Sequence, residues 1–271
     1  MSPAFSAPEC RHWALRWLLL LLGSTLTGGA FAQNATRLLD ENTIGWFTNT
    51  TTLKVAERWS GHFEYQFRRE DVVRTWQQSL LRTGINYRLN DQLTVRLGYA
   101  WIETFPYGDF PIQAAGRQFP EHRTYQLAQL RNPVGRTDIT HRFMLEQRWV
   151  GRFSNAQLPR PDETVYSNRV RYMLRLQYPF RKDASPTGKT FYAAAYDEVF
   201  VNFGQNVGVN VFDQNRLGLL IGYRFSPAFR LEGGYLQQIV QLPREIQERN
   251  VFQLNNGLIV NTILDLDLRR N

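Results

Sequence analysis

Long runs of strict two-residue alternation dominate this chain and limit its possible folds more than any other feature. Trp59, Gly61, Phe63, Tyr65 and Phe67 alternate with Ser60, His62, Glu64, Gln66 and Arg68. Leu93, Val95, Leu97, Tyr99 and Trp101 alternate with Gln92, Thr94, Arg96, Gly98 and Ala100. The pattern returns with Tyr166, Val170, Tyr172, Leu174, Leu176 and Tyr178 set against Ser167, Arg169, Arg171, Arg175 and Gln177. It returns again with Leu217, Leu219, Ile221, Tyr223 and Phe225 set against Arg216, Gly218, Gly222 and Arg224. A period of two places successive side chains on opposite faces of a β-strand. The runs are roughly 10 to 15 residues long, whereas ordinary strands average about 5 or 6 and a tilted strand across a bilayer needs about 9 to 11. One face is rich in aromatics and the other carries arginine repeatedly. Closing such a sheet with its apolar face outward satisfies every backbone group in lipid and leaves the charges in a wet lumen. The expected fold is therefore all-β, an antiparallel up-and-down transmembrane β-barrel, with Trp59, Tyr87, Trp101, Trp149, Tyr178 and Tyr223 suited to interfacial girdles.

Turn lengths alternate too. Short connections fall at 90–91, 131–136 and 226–227, with a longer one, 180–190, in a short-turn place. Long connections fall at 104–121, 154–164, 204–214 and 243–249. Outer-membrane barrels set short turns in the periplasm and long loops outside. Eleven strand-like segments are recognisable, the first at 44–53. Because single-chain bacterial barrels have even strand numbers, the expected range is about 10 to 12, with 12 preferred.

The first 32 residues read differently. Arg11 and Arg16 precede an apolar stretch from Trp17 to Leu22, and Ala30-Phe31-Ala32 forms an A-x-A cleavage site. This is the secretory pattern, too short in its apolar core to span a bilayer. It predicts a signal peptide at 1–32, a mature N-terminal segment at 33–42, a barrel at 43–271, and location in the cell outer membrane. Removing 1–32 takes away Glu9, Arg11 and Arg16, so the net charge falls from +8 to +7. Export makes nucleic acid an unsuitable partner for that basic balance and leaves membrane lipid, lipopolysaccharide, the outer-membrane assembly machinery or an anionic solute. The single cysteine, Cys10, lies in the removed segment, so the mature chain has no thiol chemistry. No metal-ligand spacing and no glycine-rich phosphate motif is present, so no cofactor is expected.

The segments 140–149 (THRFMLEQRW), 168–180 (NRVRYMLRLQYPF), 196–204 (YDEVFVNFG) and 212–225 (FDQNRLGLLIGYRF) resemble the bacterial domain-of-unknown-function family 2490, over roughly 42–268. The most specific parts are Arg142, Glu146 and Arg148, and Glu198 with Asn215-Arg216. Members are taken to be outer-membrane barrel proteins of unassigned activity, so the resemblance implies a location and a fold but no reaction.

Chemistry, if any, is expected in the lumen. Arg142, Glu146, Arg148, Arg169, Arg171 and Arg175 share inward parity on adjacent strands, and Glu198, Arg216, Arg230 and Glu232 take inward positions later. Rows of arginine select anions in pores, which makes a narrow channel for small anionic solutes one reading. The alternative is a structural or interaction barrel whose lumen is closed by Arg–Glu networks. A weaker alternative is an outer-membrane lipid hydrolase centred on His62, between Ser60 and Glu64. Next-but-one neighbours on a strand lie about 7 Å apart and do not make a direct triad, so no enzyme is expected. His141 has outward parity and His122 stands at a loop end. The connection 104–121, rich in aromatics, is expected to bind a partner or to fold inward as a constriction.

Overall fold

In the computed structural model of the chain, residues 37–181 and 188–269 are described. The expected signal peptide lies outside them, as does the middle of the 180–190 connection. Eleven strands run through the described residues: β1 (Arg37–Lys54), β2 (Trp59–Glu70), β3 (Thr75–Arg88), β4 (Leu93–Thr104), β5 (Phe119–Val134), β6 (Thr137–Arg152), β7 (Glu163–Pro179), β8 (Thr190–Phe203), β9 (Phe212–Ser226), β10 (Phe229–Ile246) and β11 (Arg249–Asp267). Each pairs antiparallel with its chain neighbour, and β1 pairs with β11 to close the barrel.

The closing pair is parallel, in register from Arg37↔Asn250 to Lys54↔Asp267. This corrects the expectation of twelve strands. In an up-and-down meander with an odd number of strands, the first and last run the same way and meet only as a parallel pair. Parity therefore required no missing strand. Instead β1 extends back to Arg37, so the wall takes in most of the segment read as a separate mature N-terminus.

The alternation decides which side faces in. Phe63, Ile85, Leu97, Phe143, Leu219 and Leu258 are exposed on the outer face, while Glu64, Arg82, Glu146, Arg169, Glu198 and Arg216 are buried within. Aromatic pairs cluster on the outer face towards both ends, Trp59 with Tyr87 at one and Trp149 with Tyr166 at the other. Inside, three glycines make room for tyrosine rings of the neighbouring strand. A Cβ on Gly98 would meet the Tyr125 ring at 2.4 Å, one on Gly218 the Tyr196 ring at 2.2 Å, and one on Gly222 the Tyr192 ring at 2.3 Å. Each glycine is the register partner of the tyrosine it accommodates, so the rings lie flat against the wall and the lumen keeps space for charged side chains.

The connections at 55–58, 89–92, 135–136 and 227–228 share one rim with the end of β7 and the start of β8. Those at 71–74, 105–118, 153–162, 204–211 and 247–248 share the other. The 243–249 segment, read as a long connection, is instead the end of β10 and a two-residue turn. Gln247 and Glu248 both have positive φ, 51° and 60°, as a type I′ hairpin turn requires. Pro243 falls at the register shift between Gln241 and Glu245, where a missing N–H is tolerated.

Candidate functional site

The inward charges meet at mid-barrel. Glu146 on β6 is 1% exposed. Its Oε2 accepts from Arg169 Nε at 2.8 Å and Nη2 at 2.5 Å, and its Oε1 accepts from Arg171 Nη1 at 2.8 Å. Arg171 also donates to Glu198 through Nη2 at 2.8 Å, and Arg142 Nη2 reaches the same carboxylate oxygen at 2.8 Å. Arg169, Arg171 and Arg175 share inward parity on β7, as Arg142 does on β6, so sequence spacing alone brings them to one side of the wall.

Two more carboxylates complete a ring. Glu121 on β5 accepts from Arg123 Nε at 2.6 Å and from Arg148 Nε at 2.5 Å. Arg148 lies 3.8 Å from Asp213, and Asp213 accepts from Arg169 Nη1 at 2.5 Å. Arg123 returns to Glu146 at 3.7 Å. The sequence of contacts Glu121–Arg148–Asp213–Arg169–Glu146–Arg123 therefore closes on itself inside the wall of β5, β6 and β7, reaching β9 through Asp213, with sign alternating at every step. Asn202 and Gln214 supply further donors to Asp213. Buried charges are tolerated only when paired and hydrogen-bonded in this way.

Aromatic faces hold the arginines where their mutual repulsion would part them. The guanidiniums of Arg169, Arg171 and Arg216 lie 5.0, 4.4 and 4.5 Å from the ring centre of Phe200. Arg216 and Arg68 share the ring of Trp46 at 4.8 and 3.8 Å. Each such contact contributes about 0.5–2 kcal/mol.

Of the residues singled out from sequence, Arg142, Glu146, Arg148, Arg169, Arg171, Glu198 and Arg216 join this network. Arg216 reaches Glu198 only at 3.9 Å and donates mainly to Gln214. Arg175 stands apart with Glu232, which also accepts from Tyr192. Arg230 pairs with Asp265 near the short-turn rim. Glu121, Arg123, Asp213 and the pair Glu64–Arg82, at 2.8 Å, were missed. The inward parity of Glu121 and Arg123 with Tyr125 was the available signal.

His62 is buried, with Nε2 3.4 Å from Glu64, and neither ring nitrogen makes a hydrogen bond among the described residues. Ser60 accepts instead from Asn86 at 3.0 Å. His141 and His122 face outward, bonded to Tyr172 and Tyr99; His122 lies within β5 rather than at a loop end. No group of three His, Cys, Asp or Glu among the described residues is placed to hold a metal.

The 105–118 connection folds inward at the long-loop rim. Tyr107 donates to Gln253 at 2.7 Å and accepts from Asn255. Burial pushes its phenol up to about 12, so it remains a neutral donor. Asp40 on β1 accepts from the backbone of Asp109 and Phe110, each at 3.3 Å. Gly108, at φ 67°, lets the loop approach that carboxylate. Between this loop and the ring lies a chamber of about 150 Å³. Beyond the network, towards the short-turn rim, is a second space of about 720 Å³.

Residues 43–249 match the family model described as protein of unknown function (DUF2490). The chain belongs to the DUF2490 family. The matched span of this DUF2490 protein contains every residue of the charge network, while most of β11, which closes the barrel, follows it. No curated protein and no solved structure matches the chain.

Proposed function

We propose that this DUF2490 protein is an outer-membrane β-barrel, exported by a cleaved signal peptide, whose lumen is closed by its arginine–carboxylate network. The observation that carries the reading is the ring from Glu121 through Arg148, Asp213, Arg169, Glu146 and Arg123 on β5, β6, β7 and β9, with each carboxylate held by two arginines, together with Arg68 of β2 and Arg216 of β9, which share the ring of Trp46 on β1. A passive pore needs a continuous wet path, whereas these side chains are at most 15% exposed. The outward apolar band and the aromatic pairs near both ends suit lipid contact. On this reading its partners are outer-membrane lipid, lipopolysaccharide and the assembly machinery, and the long loops present its contact surface. Heat modifiability in isolated outer membranes tests the location. A boiled sample should run differently from an unheated one, and a soluble periplasmic protein with no shift refutes the proposal. Reconstitution in planar bilayers tests the closure, with no stepwise current expected.

A second reading, a narrow channel for anionic solutes, draws on the excess of arginine on both sides of the ring. In that case Arg171→Ala with Arg175→Ala alters anion preference in channels that conduct; unaltered preference removes it.

A further inference from the structure

The space on the short-turn side of the network is a cup, and its charge is out of balance. Its lining carries nine Lys and Arg against five Asp and Glu. All five acids are already paired: Asp138 with Arg131, Asp265 with Arg230, Glu232 with Arg175, Glu64 with Arg82, and Glu198 with Arg142 and Arg171. The surplus positive charge faces about 720 Å³ of open volume, within the size range of small-molecule sites. Arg142 has donors to spare. It holds Glu198 through Nη2 alone, its side chain is 24% exposed, and its buried Nε has no hydrogen-bond partner among the described residues. Arg175 stands one layer nearer the rim, on the neighbouring strand, and is also partly exposed. Cavities with low-dielectric walls and one sign of excess charge concentrate counter-ions, and guanidiniums match oxyanions through forked donors.

We propose that this cup is a binding site for a small, multiply charged oxyanion free in solution, anchored by Arg142 and Arg175. It rests on the closed-lumen reading only in being a dead end. Short turns face the periplasm in outer-membrane barrels, so the ligand would enter from that side.

The test is calorimetric titration of the refolded barrel, in a zwitterionic detergent, with inorganic diphosphate. Saturable binding of one diphosphate, weakening as salt rises, is expected. Loss of one charged hydrogen-bond donor should lower affinity by about tenfold in Arg142→Gln or Arg175→Gln. Arg152→Gln, in the chamber at the other end, should bind as the parent does. Absence of saturable binding overturns the proposal. So does parental affinity in R142Q and R175Q variants that keep their heat-modifiable fold. Should both misfold, the rim pair Lys54→Gln with Arg131→Gln decides, because parental affinity there overturns it equally. Bilayer recordings separate the two claims. Binding without current leaves both standing, current with binding refutes only the closed lumen, and neither current nor binding refutes only the cup.

Discussion

Replacing Glu146 by Gln puts the central claim to a quantitative test. The substitution keeps the side-chain shape but removes the one charge that Arg169 and Arg171 share and that Arg123 approaches at 3.7 Å. Three guanidiniums are then left near an uncharged amide at a position 1% exposed. Removing one partner from a buried ion pair costs about 3–5 kcal/mol, because the remaining charge stays desolvated without compensation. With a urea slope of roughly 2–3 kcal/mol/M, the unfolding midpoint should fall by about 1–2.5 M. The assay is urea titration of the refolded barrel, followed by tryptophan fluorescence and by the fraction that keeps its folded mobility on a gel. Asp138→Asn is the matched control. Its partner Arg131 is 57% exposed, so its loss should cost about 0–1 kcal/mol. In the double variant E146Q with Arg171→Met, the second substitution should cost less than it does alone, since part of the harm is the stranded charge. A midpoint for E146Q no lower than that of D138N would refute the idea that the ring holds the lumen together.

Other expectations address separate features. The parallel seam predicts that Thr51→Cys with Leu264→Cys, which are register partners, cross-links on oxidation, because neighbouring strands lie about 4.8 Å apart, within disulfide reach. An uncross-linked product in the folded barrel would refute the seam. Gly98→Leu should destabilise the barrel by about 1–3 kcal/mol through collision with Tyr125, read as a lower thermal midpoint of the folded gel band. Asp40→Asn weakens the hold on the 105–118 loop and should speed proteolytic nicking there while leaving the barrel band intact; unchanged nicking counts against the latch.

The wall was legible in the sequence because its signal is local. A period of two needs only a strand and its two faces, and in β2, β4, β7 and β9 apolar and polar residues separate cleanly. β1 hid its length because Glu41, Thr43, Gly45, Asn49 and Thr51 share its outer face with Leu39, Phe47 and Leu53. Its full extent comes from pairing with a strand at the other end of the chain, and no local pattern encodes that. The charge network was half legible for the same reason. Residues in the middle of β6 and β7 declared their parity. Glu121 and Asp213, near the starts of β5 and β9, fell inside segments read as loops. Asp213 is further disguised by the register shift between Phe200 and Val201, opposite Gln214 and Phe212, which lets adjacent residues Asp213 and Gln214 both be buried. Which carboxylate binds which arginine depends on side chains meeting across the lumen, a distance that strand patterns do not specify.

An even meander returns its chain to the rim it started from; this one does not. Because β1 and β11 run together, the chain enters the wall beside the 105–118 loop and leaves it beside the 55–58 turn. In a barrel that spans a membrane as proposed, labels at Arg37 and at Asp267 would report on opposite compartments. For a barrel inserted from one side of a membrane, the leading end of the first strand must be carried to the far side, and the wall has no closed circumference until the final strand is in place.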